Sequence, residues 1–194
     1  MPTTATSHAH PARPDLSRWL LFAVPILALA LAVAVGAAAE RDAATTTGQG
    51  TPAPGFALPT TTGGSVELDD VLAAGPALAY FSMGVGCDGC FAQIPEIDHA
   101  LASRGIALLP VMVDPADALA FEASRFDIQR PILVDEDLSV SDAYGMLGQF
   151  GHGDRPSHSF ALISSDGTVE RTEHYTTMFV PLEQLLDDFD VDIG

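Results

Sequence analysis

Apolar residues recur along this chain in three patterns, and each predicts a different element. The longest run, Trp19 to Ala39, carries no charged side chain and is dominated by Leu, Ala and Val. Its length suits a helix that crosses a membrane. Shorter continuous runs are expected of strands buried on both faces: Pro76 to Ser82 with Ala77-Leu-Ala-Tyr-Phe81, Ile106 to Val113, and Ile132 to Val134. The third pattern is helical spacing, in Phe91, Ile94, Ile97 and Leu101, with Pro95 placed to kink the helix.

Polar punctuation between these runs completes the order of elements. A small hairpin is expected from Ala53 to Leu68 around the turn Thr60 to Ser65, followed by a brief helix capped by Asp69. Helices are expected from Asp114-Pro115 to about Phe126, from Leu138 to Tyr144 and from Pro181 to Phe189. Ser159 to Ser164, the turn Ser165-Asp-Gly167 and Thr168 to Arg171 make an antiparallel hairpin. Strands alternating with helices imply parallel pairing in the middle of the chain. The organisation expected is a disordered tail (1–18), a transmembrane helix (19–39), a flexible linker (40–52), a folded α/β domain (53–190) and a short tail (191–194).

Charge bears on compartment and partners. Arg13 and Arg18 precede the apolar run, whereas Glu40, Arg41 and Asp42 follow it, which puts the N-terminus in the cytoplasm and the domain outside. A cleaved signal ending at Ala37-Ala38-Ala39 also exports the domain, but the run exceeds the usual signal core, so a single-pass anchor in the cell membrane is favoured. Net charge is −18, and all eight basic residues are arginine. Such a surface repels a phosphate backbone, so nucleic acid is not an expected partner. High salt or a demand for solubility accounts for the acidity.

Chemistry concentrates in the only two cysteines, Cys87 and Cys90, at the point where a strand pattern gives way to a helical one. Unpaired N–H groups at a helix start stabilise a thiolate at the first cysteine, and the second is close enough to close a disulfide. A bridge across two residues removes little chain entropy, so the pair is read as redox or metal chemistry rather than as a staple. His8 and His10 lie in the polar tail.

The order of elements around Cys87-Asp-Gly-Cys-Phe-Ala-Gln-Ile-Pro-Glu-Ile97, with Ala53-Pro-Gly-Phe-Ala-Leu-Pro59, Gly64-Ser-Val-Glu-Leu68, Val134 to Gly145 and Phe160 to Val169, resembles the thioredoxin fold. The likeness is to its redoxin branch, the alkyl hydroperoxide reductase/thiol-specific antioxidant family, and within that to TlpA-like membrane-anchored thiol-disulfide oxidoreductases. The resemblance implies an α/β fold, a three-layer α/β/α sandwich with a mixed central sheet. It also implies that Cys87 is the exposed nucleophile and Cys90 the resolving thiol, together the redox-active disulfide. Neither a cofactor nor a metal is implied for that chemistry. Its partners would be an exported disulfide-containing protein as substrate and an upstream thiol electron donor.

A cis-proline opposite the dithiol belongs to the same pattern. Pro156 is the candidate, in Arg155-Pro-Ser-His-Ser159, although a spacing one residue longer than expected makes His158 the other occupant of that place. Several positions depart from the family. Gly86 replaces a common tryptophan, Gln93 stands where a glutamate is common, with Glu96 as a possible substitute, and Asp88 opposes thiolate formation by like charge.

Two other functions share the fold. A thiol peroxidase usually carries Pro-x-x-x-Thr-x-x-Cys, but counting back from Cys87 gives Gly84 and Tyr80, and from Cys90, Cys87 and Met83. A copper-binding or metal-delivery module would use both thiolates, which suit Cu(I), with Met83, His152, His158 or His174 completing the site.

Overall fold

The computed structural model describes residues 49–191. The tail with His8 and His10, the apolar run 19–39 and most of the expected linker lie outside the described residues, as do residues 192–194. No helix among the described residues is long and apolar enough to cross a membrane.

The described residues build eight strands and six α-helices. In order they are β1 (Thr51–Pro52), β2 (Ala57–Pro59), β3 (Ser65–Glu67), α1 (Leu68–Leu72), β4 (Ala77–Ser82), α2 (Asp88–Ala92), α3 (Ile94–Ala102), β5 (Ala107–Met112), α4 (Ala116–Arg125), β6 (Leu133–Val134), α5 (Ser139–Ala143), a 3-10 turn (Gln149–Gly151), β7 (His158–Ile163), β8 (Thr168–Tyr175) and α6 (Leu182–Asp188). Six strands form one sheet in the order β1-β8-β7-β4-β5-β6, with β2 and β3 as a separate hairpin. Pairing is parallel between β4, β5 and β6 and antiparallel for β7 with β4 and with β8. The mixed sheet expected from the sequence is therefore present. It begins earlier than the boundary at 53, because Thr51 and Pro52 already pair with Val169 and Thr168.

Strand β4 sits centrally, and its side chains explain the layers. Successive residues of a strand point to opposite faces. Leu78 and Tyr80 join one buried cluster with Phe91, Ile94, Ile97 and Leu101 of α2 and α3, Leu119 of α4 and Leu185 of α6. Ala77, Ala79 and Phe81 join a second with Leu68 and Leu72 of α1, Val140 of α5 and Tyr144. All six residues of β4 are buried, and each large apolar side chain so placed contributes about 1.5–3 kcal/mol.

Two local expectations change. Asp69 lies inside α1, whose N-cap is Glu67 with no side-chain cap bond, so Asp69 does not start the helix. Pro95 does more than kink the redox helix: the segment divides at Gln93 into α2 and α3, with proline in the first turn of α3. A proline there has no N–H to give to the preceding turn.

Candidate active site

The approach to the dithiol is fixed by a buried carboxylate. Strand β4 ends at Ser82, and the backbone turns through Gly84 at a φ of +81°, a left-handed conformation that favours glycine. Asp114, at the end of β5, accepts a hydrogen bond from the Val85 N–H at 2.7 Å. Arg155 donates to both oxygens of that carboxylate, at 2.9 and 3.2 Å, and also to the Met83 carbonyl. A Cβ on residue 84 would collide with the Asp114 carboxylate, so the glycine is required twice over. The Asp114 bond raises the Arg155 pKa above its ordinary value.

Cys87 and Cys90 are joined as a disulfide with Cα atoms 5.3 Å apart. Cys87 is the N-cap of α2, and its sulfur accepts the Cys90 backbone N–H at 3.3 Å. The exposure expected of Cys87 is corrected: it is 1% exposed and Cys90 0%. An imidazole fills the space against both sulfurs. Asp88 faces solvent at the start of α2, where Arg125 lies 3.6 Å away; both are well exposed, so its repulsion is only weakly offset.

That imidazole is His158, the first residue of β7. Alternation along β7 puts His158, Phe160 and Leu162 on one face, and Phe160 stacks on Tyr80 of β4 at 4.4 Å. His158 thereby meets the dithiol, with Nε2 2.7 Å from Cys90 Sγ and 3.7 Å from Cys87 Sγ. Its Nδ1 is bonded to the Thr177 carbonyl. A carbonyl only accepts, so Nδ1 carries the hydrogen, and the neutral ring presents an Nε2 lone pair to the sulfurs. Burial lowers the His158 pKa, which the Thr177 bond partly opposes and nearby His152 reinforces.

Pro156 does not supply the expected cis-proline, because no described peptide bond is cis. It pairs instead with Leu147 in an isolated bridge. His158 stands against the dithiol instead.

The segment 176–181, between β8 and α6, passes beside the dithiol helix and is tied to it. Gln93 is 1% exposed, and its carbonyl accepts the Val180 N–H at 3.1 Å while its amide donates to the Tyr80 hydroxyl at 2.6 Å. Tyr80 in turn donates to the Cys90 carbonyl at 3.3 Å. Burial pushes the Tyr80 phenol well above its usual range. A Cβ at Gly89 would fall 2.5 Å from the Met178 carbonyl, so the small residue between the cysteines lets this segment approach. Thr177, Met178 and Val180 thus engage the site through their backbone, which no side-chain motif announces.

Of the other candidates, Met83 and His152 line a cavity of about 40 Å³ with His158 and residues 175–178. His174 is held elsewhere by a 2.8 Å bond with the Ser159 hydroxyl. Glu96 is exposed and takes no place beside the dithiol.

A bonded Cys-x-x-Cys at a strand-to-helix junction beside a parallel pair defines a thiol-redox domain on a thioredoxin-like α/β fold. The chain belongs to the AhpC/TSA family, which it matches over residues 49–172. It is 26% identical to the thiol-disulfide oxidoreductase ResA of Bacillus subtilis (strain 168) over 125 residues, 62% of this chain and 64% of that protein. It therefore spans a little under two thirds of this relative. Among solved structures it resembles peroxidoxin BcpB from Mycobacterium tuberculosis (TM-score 0.62, 20% identity, covering 75% of this chain and 96% of that one). It also resembles a secreted M. tuberculosis disulfide oxidoreductase homologous to E. coli DsbE (TM-score 0.55, 18% identity, 70% and 94% covered). These structures share the fold.

Proposed function

We propose that this protein is a membrane-anchored, extracytoplasmic thiol-disulfide oxidoreductase that reduces disulfides in exported proteins. The observation that carries the proposal is the Cys87–Cys90 disulfide with the His158 Nε2 lone pair against both sulfurs. In the reduced protein the Cys87 thiolate attacks a substrate disulfide and forms a mixed disulfide, and the departing substrate sulfur takes a proton. Cys90 then passes its proton to His158 Nε2 and attacks the Cys87 sulfur. The substrate leaves as a dithiol, and the Cys87–Cys90 bond closes. An upstream thiol donor restores the two thiols.

The direction rests on charge. Asp88 disfavours a Cys87 thiolate, and a less acidic thiol makes a more reducing pair. The cavity that His158 lines with Met83 and His152, about 40 Å³, is too small for an organic substrate, which favours a disulfide carried by a protein chain. Export and tethering rest on the run 19–39 and the arginines before it; ResA supports the exchange chemistry.

A thiol peroxidase is the second reading, favoured by the fold shared with peroxidoxin BcpB. Against it, Gly84 and Tyr80 (counting from Cys87) or Cys87 and Met83 (counting from Cys90) occupy the threonine and proline positions of the peroxidase motif, and the Tyr80 hydroxyl is committed to Gln93 and Cys90. Insulin-disulfide reduction and peroxide consumption, measured on the same full-length protein, decide between them. Insulin reduction that is lost in both Cys87→Ser and Cys90→Ser supports exchange; peroxide turnover without insulin reduction sinks it.

A further inference from the structure

We infer that the reduced site binds one Cu(I) ion through Cys87 Sγ, Cys90 Sγ and His158 Nε2. Among the described residues, these three form a group of ligand-type side chains whose donor atoms all lie within 4.8 Å of one another. All three residues are buried, at 1%, 0% and 4% exposure. That grouping is of the disulfide form; once reduction parts the two sulfurs, metal–sulfur and metal–nitrogen bonds of about 2.0–2.3 Å let a single ion sit among the three donors.

The donor set selects the metal. Two thiolates make a soft site, and soft ligands favour Cu(I). Zinc takes four ligands, or three with water in an open fourth position. Among the described residues the same group contains no fourth His, Cys, Asp or Glu. Two thiolates and one imidazole suit a three-coordinate monovalent ion. The third donor is also prepared in advance: the Thr177 carbonyl holds the Nδ1 hydrogen, so Nε2 faces the sulfurs as a lone pair. Of the four residues that the sequence offered to complete such a site, the fold brings His158 to both sulfurs and ties His174 to Ser159.

Loading is gated by the redox state. A dithiol donor supplies two electrons and two protons, breaks the Cys87–Cys90 bond and itself becomes a disulfide. Cu(I) then displaces the two thiol protons to solvent without changing its own oxidation state. The oxidised form has no thiolate to offer.

The test uses full-length protein, reduced with a phosphine, desalted without oxygen and titrated with Cu(I) against a chromophoric Cu(I) chelator. Reduced wild type is expected to bind one Cu(I), the oxidised protein none, and Cys87→Ser and Cys90→Ser each to lose the site. His158→Ala should bind at least about tenfold more weakly. Copper X-ray absorption of loaded wild type should show two sulfurs and one nitrogen, a readout that does not depend on any variant folding. Binding by the oxidised protein, a folded His158→Ala that competes as well as wild type, or a two-sulfur spectrum would overturn the inference. Insulin reduction by the same preparation reports the exchange activity separately, so failure of one is distinguishable from failure of the other.

Discussion

His158 Nε2 lies 2.7 Å from Cys90 Sγ and a full ångström farther, at 3.7 Å, from Cys87 Sγ. The imidazole therefore sits closer to Cys90, the resolving thiol of the proposed mechanism, while the Cys90 N–H serves the sulfur of Cys87. In the proposed exchange, one base and one backbone donor divide the two steps between them.

His158→Ala should slow resolution more than attack. General-base help is worth on the order of 10²–10⁴-fold, so insulin reduction is expected to fall by about 10²-fold or more. Mixed disulfide on Cys87 should accumulate during turnover, visible by non-reducing electrophoresis. Equal loss of rate without such accumulation would assign His158 to the Cys87 step instead.

Gly84→Ala should destabilise the fold. A left-handed backbone costs a residue with a Cβ about 1–2 kcal/mol, and the new methyl displaces the Asp114 carboxylate as well. Urea denaturation should show a loss of at least that size. Asp114→Ala, which strands the Val85 N–H and the Arg155 guanidinium, should cost roughly 1–3 kcal/mol.

Gln93→Leu tests the tie between the dithiol helix and the segment 176–181. Two buried partners, the Val180 N–H and the Tyr80 hydroxyl, lose their bonds to the side chain, at a cost of about 1–3 kcal/mol each at most. Thermal unfolding should shift down, and alkylation of reduced Cys87 should quicken as Thr177 and His158 loosen. An unchanged alkylation rate would show that this segment does not control access.

What the sequence made legible is what short-range pattern encodes. Continuous apolar runs mark β4 and β5 because a strand buried on both faces has no polar side, and the two-residue spacing marks the dithiol. The base was harder to see. A histidine at the start of a strand has no local signature, and its contact with Cys90 spans 68 residues. Period-two alternation from Phe160 would have placed His158 on the face of the dithiol helix once the pairing of β7 with β4 was known. The backbone contacts of Thr177 and Val180 leave no side-chain trace at all. Pro156 drew the family's expectation because it is the nearest proline, but register, not residue type, decides which position faces the sulfurs.

The order of attack is the central claim, and trapping tests it most directly. Reduced Cys90→Ser and Cys87→Ser proteins are each incubated with a disulfide-containing protein and resolved without reductant. Cys90→Ser should hold its substrate as a stable mixed disulfide through Cys87, and Cys87→Ser should hold almost none. Trapping by Cys87→Ser alone would reverse the roles of the two cysteines and contradict the account.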